Sequence, residues 1–238
     1  MRITLENSGL FVDAINIISE LVSEVRIKFK KEGLEIVAID PTNAAMILFK
    51  LPSTAFSSYE LSADELIGVD LDDFKQILRR GKQEAMTLET KESRLLVSFG
   101  GERKKFNVSL IDIEEEERKE PELKFNVSLK IDSAKLQEAV DDCGVVSDSI
   151  LFNVSDVGFV LDARSSLHTA AVHLLDEKFK EAAKARYSID YLQKMVKAAK
   201  FCEDVEVQFA TDYPLRLHYS TPEKAELSFI LAPRVETD

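Results

Sequence analysis

The sequence predicts a duplicated α+β protein in which each half sets two helices against antiparallel strands. Three observations predict it. An acidic stretch falls close to the midpoint of the 238 residues. The order strand, helix, strands, helix, strands occurs on both sides of that stretch, which is the pattern of helices laid on one face of a sheet. The second helix of each half also repeats one apolar spacing. Leu71, Phe74, Ile77 and Leu78 fall at 0, 3, 6 and 7, as do Ile189, Leu192, Met195 and Val196, and the next residue is a cation in both, Arg79 and Lys197.

The first half opens on a strand over Arg2 to Leu5. Asn7 or Ser8 suits a helix N-cap, and Leu10, Ala14, Ile17, Ile18 and Leu21 then recur at helical spacing. Val25, Ile27 and Phe29 alternate with Arg26, Lys28 and Lys30, the signature of a half-buried strand. A Glu32-Gly33 turn leads into a strand over Leu34 to Ile39, and Asp40-Pro-Thr-Asn43 turns the chain into another over Ala45 to Leu51. Leu61 to Asp70 leads into the second helix, which Gly81 stops. Thr87 to Thr90, Leu95 to Phe99 and Phe106 to Leu110 form a meander with turns at Glu92-Ser93 and Gly100-Gly101.

The central stretch, Leu110 to Phe125, has eight acidic or proline residues among its sixteen. Like charge closed by Pro121 cannot bury a face, so it reads as an extended surface connection. Beyond it Lys124 to Ile131 is a strand, and Ser133 is expected to cap a helix carrying Leu136, Ala139, Val140 and Cys143. Strands over Ile150 to Val154 and Gly158 to Leu161 meet at Ser155 to Val157, with Gly158 placed as Gly33 is. A strand follows over Thr169 to Leu175, then a charged connection over Asp176 to Lys184, then the fourth helix. Strands over Val205 to Phe209, Leu215 to Tyr219 and Ala225 to Leu231 finish the chain.

Composition excludes several classes. With 45% hydrophobic and 31% charged residues the chain reads as globular rather than disordered. No apolar run approaches the roughly 18 residues of a membrane span, and the start lacks a signal-peptide profile. Cys143 and Cys202 read as buried, reduced thiols of an intracellular protein. His168, His173 and His218 do not complete a zinc set, and no nucleotide, hydrolase or metalloprotease motif is present. Glu35 and Asp40 sit where carboxylates cap turns or face water. No catalytic site, metal or cofactor is expected.

The net charge of −12 argues against general attraction to nucleic acid, so the placement of cations matters more than their sum. On the second helix Lys75, Arg79 and Lys82 share a face opposite the apolar stripe. On the fourth, Lys194, Lys197 and Lys200 do the same. A cationic helix face is ordinarily just solvated. Matching faces in both halves of an acidic chain, with no base-reading side chains beside them, suit sequence-blind contact with phosphates.

Over its whole length the chain resembles the sliding clamps of the proliferating cell nuclear antigen family, in their short archaeal form. The blocks that carry the resemblance are Gly68-Val-Asp-Leu-Asp-Asp-Phe-Lys-Gln-Ile-Leu-Arg-Arg-Gly81, Ala38-Ile-Asp-Pro-Thr42, Leu110-Ile-Asp112, Val146-Ser-Asp-Ser-Ile150, Tyr187-Ser-Ile-Asp-Tyr-Leu192 and Leu231-Ala-Pro-Arg-Val-Glu236. The resemblance implies a duplicated DNA-clamp (processivity) fold. Residues 1–112 would be the N-terminal clamp repeat, 113–124 the interdomain connecting loop, and 125–238 the C-terminal repeat with a partner-binding tail. It also implies a non-enzymatic trimeric ring around duplex DNA in the archaeal cytoplasm, associated with the nucleoid. Such a ring would tether replicative polymerase, clamp loader, flap endonuclease and DNA ligase through short hydrophobic-aromatic peptides.

On this chain the resemblance places DNA contact at Lys75, Arg79, Lys82, Lys194, Lys197 and Lys200. It places the peptide groove at Ile39, Met46, Leu110, Ile111, Pro214, Ile230, Ala232 and Pro233, with the tail Arg234 to Asp238 beside it. Subunits would join by pairing the strand Lys105 to Ser109 with Thr169 to Leu174 of a neighbour, with Arg80, Lys82 and Lys104 facing Glu138 and Asp142. The chain departs from the family pattern in two ways. Asp13, Glu20, Glu138 and Asp141 put acid on the first and third helices, which implies weaker, more salt-sensitive DNA contact. Arg118 and Glu120 make the linker more polar. A ring of identical subunits and a mixed ring, including one specialised for repair partners, both remain open.

Overall fold

A computed structural model of the chain describes residues 1–81, 84–114, 119–222 and 225–235. The chain forms two compact units. The first takes Met1–Pro41, Ile47–Glu120 and Thr221–Leu227; the second takes Thr42–Met46, Pro121–Ser220 and the chain from Ser228 onward.

In chain order the first half runs β1 (Arg2–Leu5), α1 (Gly9–Ile18), β2 (Glu24–Lys30), β3 (Gly33–Ile39), β4 (Ala45–Pro52), β5 (Ser58–Glu60), β6 (Glu65–Asp70), α2 (Leu71–Leu78), β7 (Met86–Lys91), β8 (Arg94–Phe99) and β9 (Lys104–Ser109). The second half runs β10 (Val127–Asp132), α3 (Ser133–Gly144), β11 (Ser149–Ser155), β12 (Gly158–Arg164), β13 (Thr169–Leu175), β14 (Ala183–Ser188), α4 (Ile189–Met195), β15 (Asp204–Phe209), β16 (Leu215–Ser220) and β17 (Glu226–Leu231). Short 3-10 turns extend α2 over Arg79–Gly81 and α4 over Val196–Lys200.

Strand order repeats along with element order. In the first half β1, β7, β8 and β9 lie side by side with β5 added outside β1, and β4, β3, β2 and β6 form a second run. In the second half the corresponding runs are β10-β15-β16-β17 and β13-β12-β11-β14.

Backbone details repeat as well. Gly33 (φ 146°) and Gly158 (φ 133°) each follow a two-residue loop at the start of a strand, and a Cβ at either would drive into a backbone carbonyl, Leu51 or Leu175. On β6, Gly68 pairs with Arg26; on β14, Arg186 pairs with Leu151 at the corresponding place. Each of these carbonyls accepts a hydrogen bond from the chain leaving the last strand of its own half, Ile111 N–H at 3.0 Å and Arg234 N–H at 2.7 Å. A shared backbone device at matched positions is what an internal duplication leaves behind.

The helices bury their apolar stripes within their own units. In the first, Phe11 of α1 meets Phe74 of α2 edge to face at 6.3 Å, and Leu71 and Leu78 are fully enclosed. In the second, Phe152 meets Tyr187 at 5.2 Å and Phe209 at 6.0 Å, with Leu136, Val140 and Leu192 buried. Each such side chain contributes roughly 1.5–3 kcal/mol of burial free energy.

The structure corrects the sequence reading in four places. Ser8 stands at the α1 N-cap but its hydroxyl donates to the Glu84 carbonyl, and the Asn7 carboxamide oxygen accepts from Gly9 N–H instead. The α3 cap is Asp132, which accepts from Lys135 N–H at 3.0 Å; Ser133 is the first helical residue and is buried. Glu20 lies beyond the end of α1. Three strands go beyond the sequence reading, β5, β6 and β14, and of these β6 and β14 are counterparts in the two halves.

Candidate functional site

The proposed DNA-facing cations stand at the ends of α2 and α4. Asp70 caps α2 by accepting from Asp73 N–H at 3.0 Å, and Asp72 and Asp73 add negative charge where the helix dipole favours it. The cap fixes the start of the helix, and the buried stripe Leu71, Phe74 and Leu78 turns Lys75 and Arg79 outward, one turn apart. Lys75 Nζ meets Asp72 Oδ1 at 2.6 Å, so its charge is partly held within the helix. Arg79 is exposed and already belongs to the 3-10 turn.

On α4, Lys194 Nζ stands 5.8 Å from the centre of the Tyr191 ring. Lys197 and Lys200 are exposed on the 3-10 turn, where residues three apart eclipse, so the two cations line up although the α-helix has ended. The structure therefore brings Lys75 with Arg79 and Lys194 with Lys197 and Lys200 onto shared faces. Lys82 lies outside the described residues. Of the acidic counterweights, Asp141 accepts from Gln193 Nε2 on α4 at 3.4 Å.

The groove residues fall in both units and each set is placed within its own. In the first unit Ile39 ends β3, and Leu110 and Ile111 follow β9, all half-buried. Ile111 is fixed by its bridge to Gly68, where a Cβ would collide with the Ile111 carbonyl and press on the Ile113 side chain. In the second unit Met46 and Pro214 are half-buried and Ala232 is exposed, its N–H donating to the Ala44 carbonyl at 2.9 Å. Ile230 is 8% exposed, so it belongs to the core more than to a surface groove.

The tail is held by Arg234. Besides its backbone bond to Arg186, its guanidinium reaches Asp148 Oδ2 at 2.9 Å and the Asp148 carbonyl at 3.2 Å. The Arg234 guanidinium beside it holds the Asp148 carboxyl below the usual carboxylate range. Pro233, Arg234 and Val235 line a hollow with Leu151 and Arg186. Sequence reasoning misses this anchor because its two ends lie 86 residues apart. Glu236 to Asp238 and Arg118 lie outside the described residues.

The strands assigned to subunit contact are β9 and β13. Within their sheets β9 pairs with β8 and β13 with β12, and both stand at the sheet edge. Lys105, Asn107 and Ser109 are exposed on β9, as are Thr169, Ala171 and His173 on β13. Such edges are templates for pairing with another chain. Glu138 and Asp142 are exposed one turn apart on α3. Lys104 differs from expectation: its ammonium is bound within the chain, to Glu84 Oε1 at 2.8 Å and the Arg80 carbonyl at 3.0 Å. Its charge is therefore partly spent at home.

Among the described residues no group of three His, Cys, Asp or Glu side chains is placed to hold a metal ion, and no helix is long and apolar enough to cross a membrane. Burial raises the Cys143 thiol to about 11, which makes it a poor nucleophile at neutral pH.

Comparison with known proteins completes the picture. Residues 1–117 match the family model for the proliferating cell nuclear antigen N-terminal domain, and 119–234 match that for the C-terminal domain. The chain is 34% identical to the protein named DNA polymerase sliding clamp of Thermococcus gammatolerans, over 99% of this chain and 98% of that one. Its similarity to the DNA polymerase sliding clamp of Pyrococcus furiosus is also 34%, with the same coverage. Among solved structures it resembles the A. fulgidus proliferating cell nuclear antigen bound to the C-terminal region of FEN-1, with a TM-score of 0.90 at 29% identity over 100% of this chain and 99% of that one. It also resembles the PCNA2-PCNA3 complex of Sulfolobus tokodaii, with a TM-score of 0.89 at 26% identity over 99% of this chain and 100% of that one.

Proposed function

We propose that this chain, which belongs to the proliferating cell nuclear antigen family, acts as a DNA polymerase sliding clamp. Copies of it close into a three-subunit ring around duplex DNA and tether polymerase and other replication and repair enzymes. The clamp is a processivity factor and not an enzyme. The observation that carries this reading is the end-to-end match, family models over both halves together with curated clamps at 34% identity over 99% of the chain.

The geometry supports the detail. The chain divides into two repeats, 1–112 and 125–238, joined by the loop 113–124. Lys75, Arg79, Lys194, Lys197 and Lys200 face the duplex, with Lys82 extending the first set. They meet phosphates without reading bases, so the ring slides while its closure keeps it on DNA. Edge strand β9 pairs with β13 of the next subunit, closing both edges. Arg80, and Lys82 with Lys104 where their charge is available, face Glu138 and Asp142. Ile39, Met46, Leu110, Ile111, Pro214, Ala232 and Pro233, floored by Ile230, receive the hydrophobic-aromatic peptides of flap endonuclease, ligase, loader and polymerase. The ring works in the cytoplasm at the nucleoid.

Light scattering across a dilution series tests the ring. Three 26.8 kDa chains give about 80 kDa, the expected mass of a self-sufficient clamp. A monomer or dimer at micromolar concentration would overturn the homotrimer. It would favour the second reading, a mixed ring, which the likeness to the Sulfolobus PCNA2-PCNA3 complex prompts.

A further inference from the structure

The segment that follows β17 is held at several points within the second unit. Ala232 N–H donates to the Ala44 carbonyl at 2.9 Å and Arg234 N–H to the Arg186 carbonyl at 2.7 Å, with Pro233 between them. Proline has no N–H to give and its ring fixes one backbone dihedral, so the stretch is set by two backbone bonds and one stiff ring. Arg234 adds a further grip through its side chain. Its Nη1 lies 2.9 Å from Asp148 Oδ2 and 3.2 Å from the Asp148 carbonyl oxygen.

Asp148 is a rigid post for that grip. Its carbonyl also accepts from Ile189 N–H at 3.0 Å, where α4 begins, and the next residue, Ser149, pairs with Ser188 in the β11-β14 ladder. The first half has the same backbone without the ion pair. There the Ser23 carbonyl accepts from Leu71 N–H at 2.7 Å where α2 begins, Glu24 pairs with Asp70, and Ile111 N–H donates to the Gly68 carbonyl. Ser23 therefore stands where Asp148 does, and Ile111 where Arg234 does. Serine and isoleucine cannot form an ion pair, so the pair is an addition that the duplicated frame does not need. Its side chains are 76% exposed at Asp148 and 44% at Arg234. Exposed pairs contribute little to global stability, so this one acts on the segment it holds and not on the fold.

We propose that Asp148 is a positioning residue for partner binding: through Arg234 it holds Ala232 and Pro233 in the shape that receives a hydrophobic-aromatic peptide. This role rests on the reading in which Ala232 and Pro233 line the peptide groove. Asp148 is not among the residues assigned to that groove, so it acts through Arg234 alone. Its effect falls on the unbound chain. A segment already ordered loses little freedom when the peptide arrives, whereas a released segment is ordered only on binding, which weakens the complex.

The test uses the full chain and a fluorescent hydrophobic-aromatic peptide without charged residues, read by anisotropy. An uncharged probe has no ion pair of its own to lose. Asp148→Asn and Arg234→Gln are each expected to weaken binding by about three- to tenfold, the scale of ordering a short segment on binding. The double variant should bind no more weakly than either single one, because the two side chains act as a unit. Asp148→Glu keeps the charge and should keep most of the affinity. Melting temperature and solution mass should stay native in these variants, while amide exchange at Ala232 and Arg234 quickens in Asp148→Asn and Arg234→Gln. Ala232→Asp tests the groove itself and is expected to abolish binding with the Asp148–Arg234 pair intact. Loss of binding there, with native affinity in both single variants, overturns the role of Asp148 and leaves the groove standing. Additive losses in the double variant overturn that role as well. A native chain that does not bind the peptide, or native affinity in Ala232→Asp, overturns the groove and the role of Asp148 with it.

Discussion

Two tyrosines in the second half of the chain separate a hydrogen bond that matters from a hydroxyl that is merely enclosed. The Tyr187 hydroxyl donates to the Tyr213 carbonyl at 2.7 Å, and its ring sits edge-on to Phe152. The Tyr219 hydroxyl is buried with no hydrogen-bond partner among the described residues. Burial raises both phenol pKa values, so both remain neutral at any physiological pH. Removing the first hydroxyl leaves a carbonyl without its donor, at a cost of about 1–2 kcal/mol. Removing the second discards a desolvated group that gives nothing back. Tyr187→Phe is therefore expected to lower the melting temperature by several degrees, and Tyr219→Phe to leave it unchanged or raise it. An equal loss from both would show that the Tyr219 hydroxyl is bonded in solution.

At the scale of elements, the paired glycines that open β3 and β12 are the tightest constraint. Gly33→Ala and Gly158→Ala must accept both a positive φ and a Cβ pushed into a strand carbonyl, and each is expected to cost at least ~2 kcal/mol. Gly101→Ala is the control, because its φ is 66° but a Cβ there meets nothing within 4 Å; it should cost only about 1 kcal/mol. Denaturant midpoints measure all three, and Gly33→Ala no worse than Gly101→Ala would refute the argument. The equivalence of these glycines is legible from sequence, as are the helices, because an apolar stripe is a local signal. Strands β6 and β14 are not. Gly68 and exposed Leu66 break the alternation of the first, and the second gives two of its three buried positions to Ala183 and Ala185, whose strand preference is weak. The cation faces are legible for the same local reason as the stripes opposite them.

For the whole molecule the governing tension is charge. A chain at −12 that encircles DNA must keep its cations local and weakly committed. Several devices achieve this: Asp72 holds Lys75 at 2.6 Å, the Tyr191 ring lies by Lys194, and Glu138 and Asp141 put acid on α3. Each weakens any one phosphate contact by the cations proposed to face DNA, and low single-contact affinity is what lets a ring move. Every cation withdrawn from a phosphate should flatten the salt slope of binding by about 0.9. Replacing Lys75, Arg79, Lys194, Lys197 and Lys200 with Ala is therefore expected to abolish the residual affinity for short linear duplex at low salt. The mass by light scattering should stay that of the native assembly. Retention on closed circular DNA after loading should persist, because a closed ring leaves only by opening. A variant that held linear duplex as firmly, with the native salt slope, would remove these helix ends from the DNA path. A variant that left circles as fast as it left linear DNA would show that affinity, and not closure, does the holding.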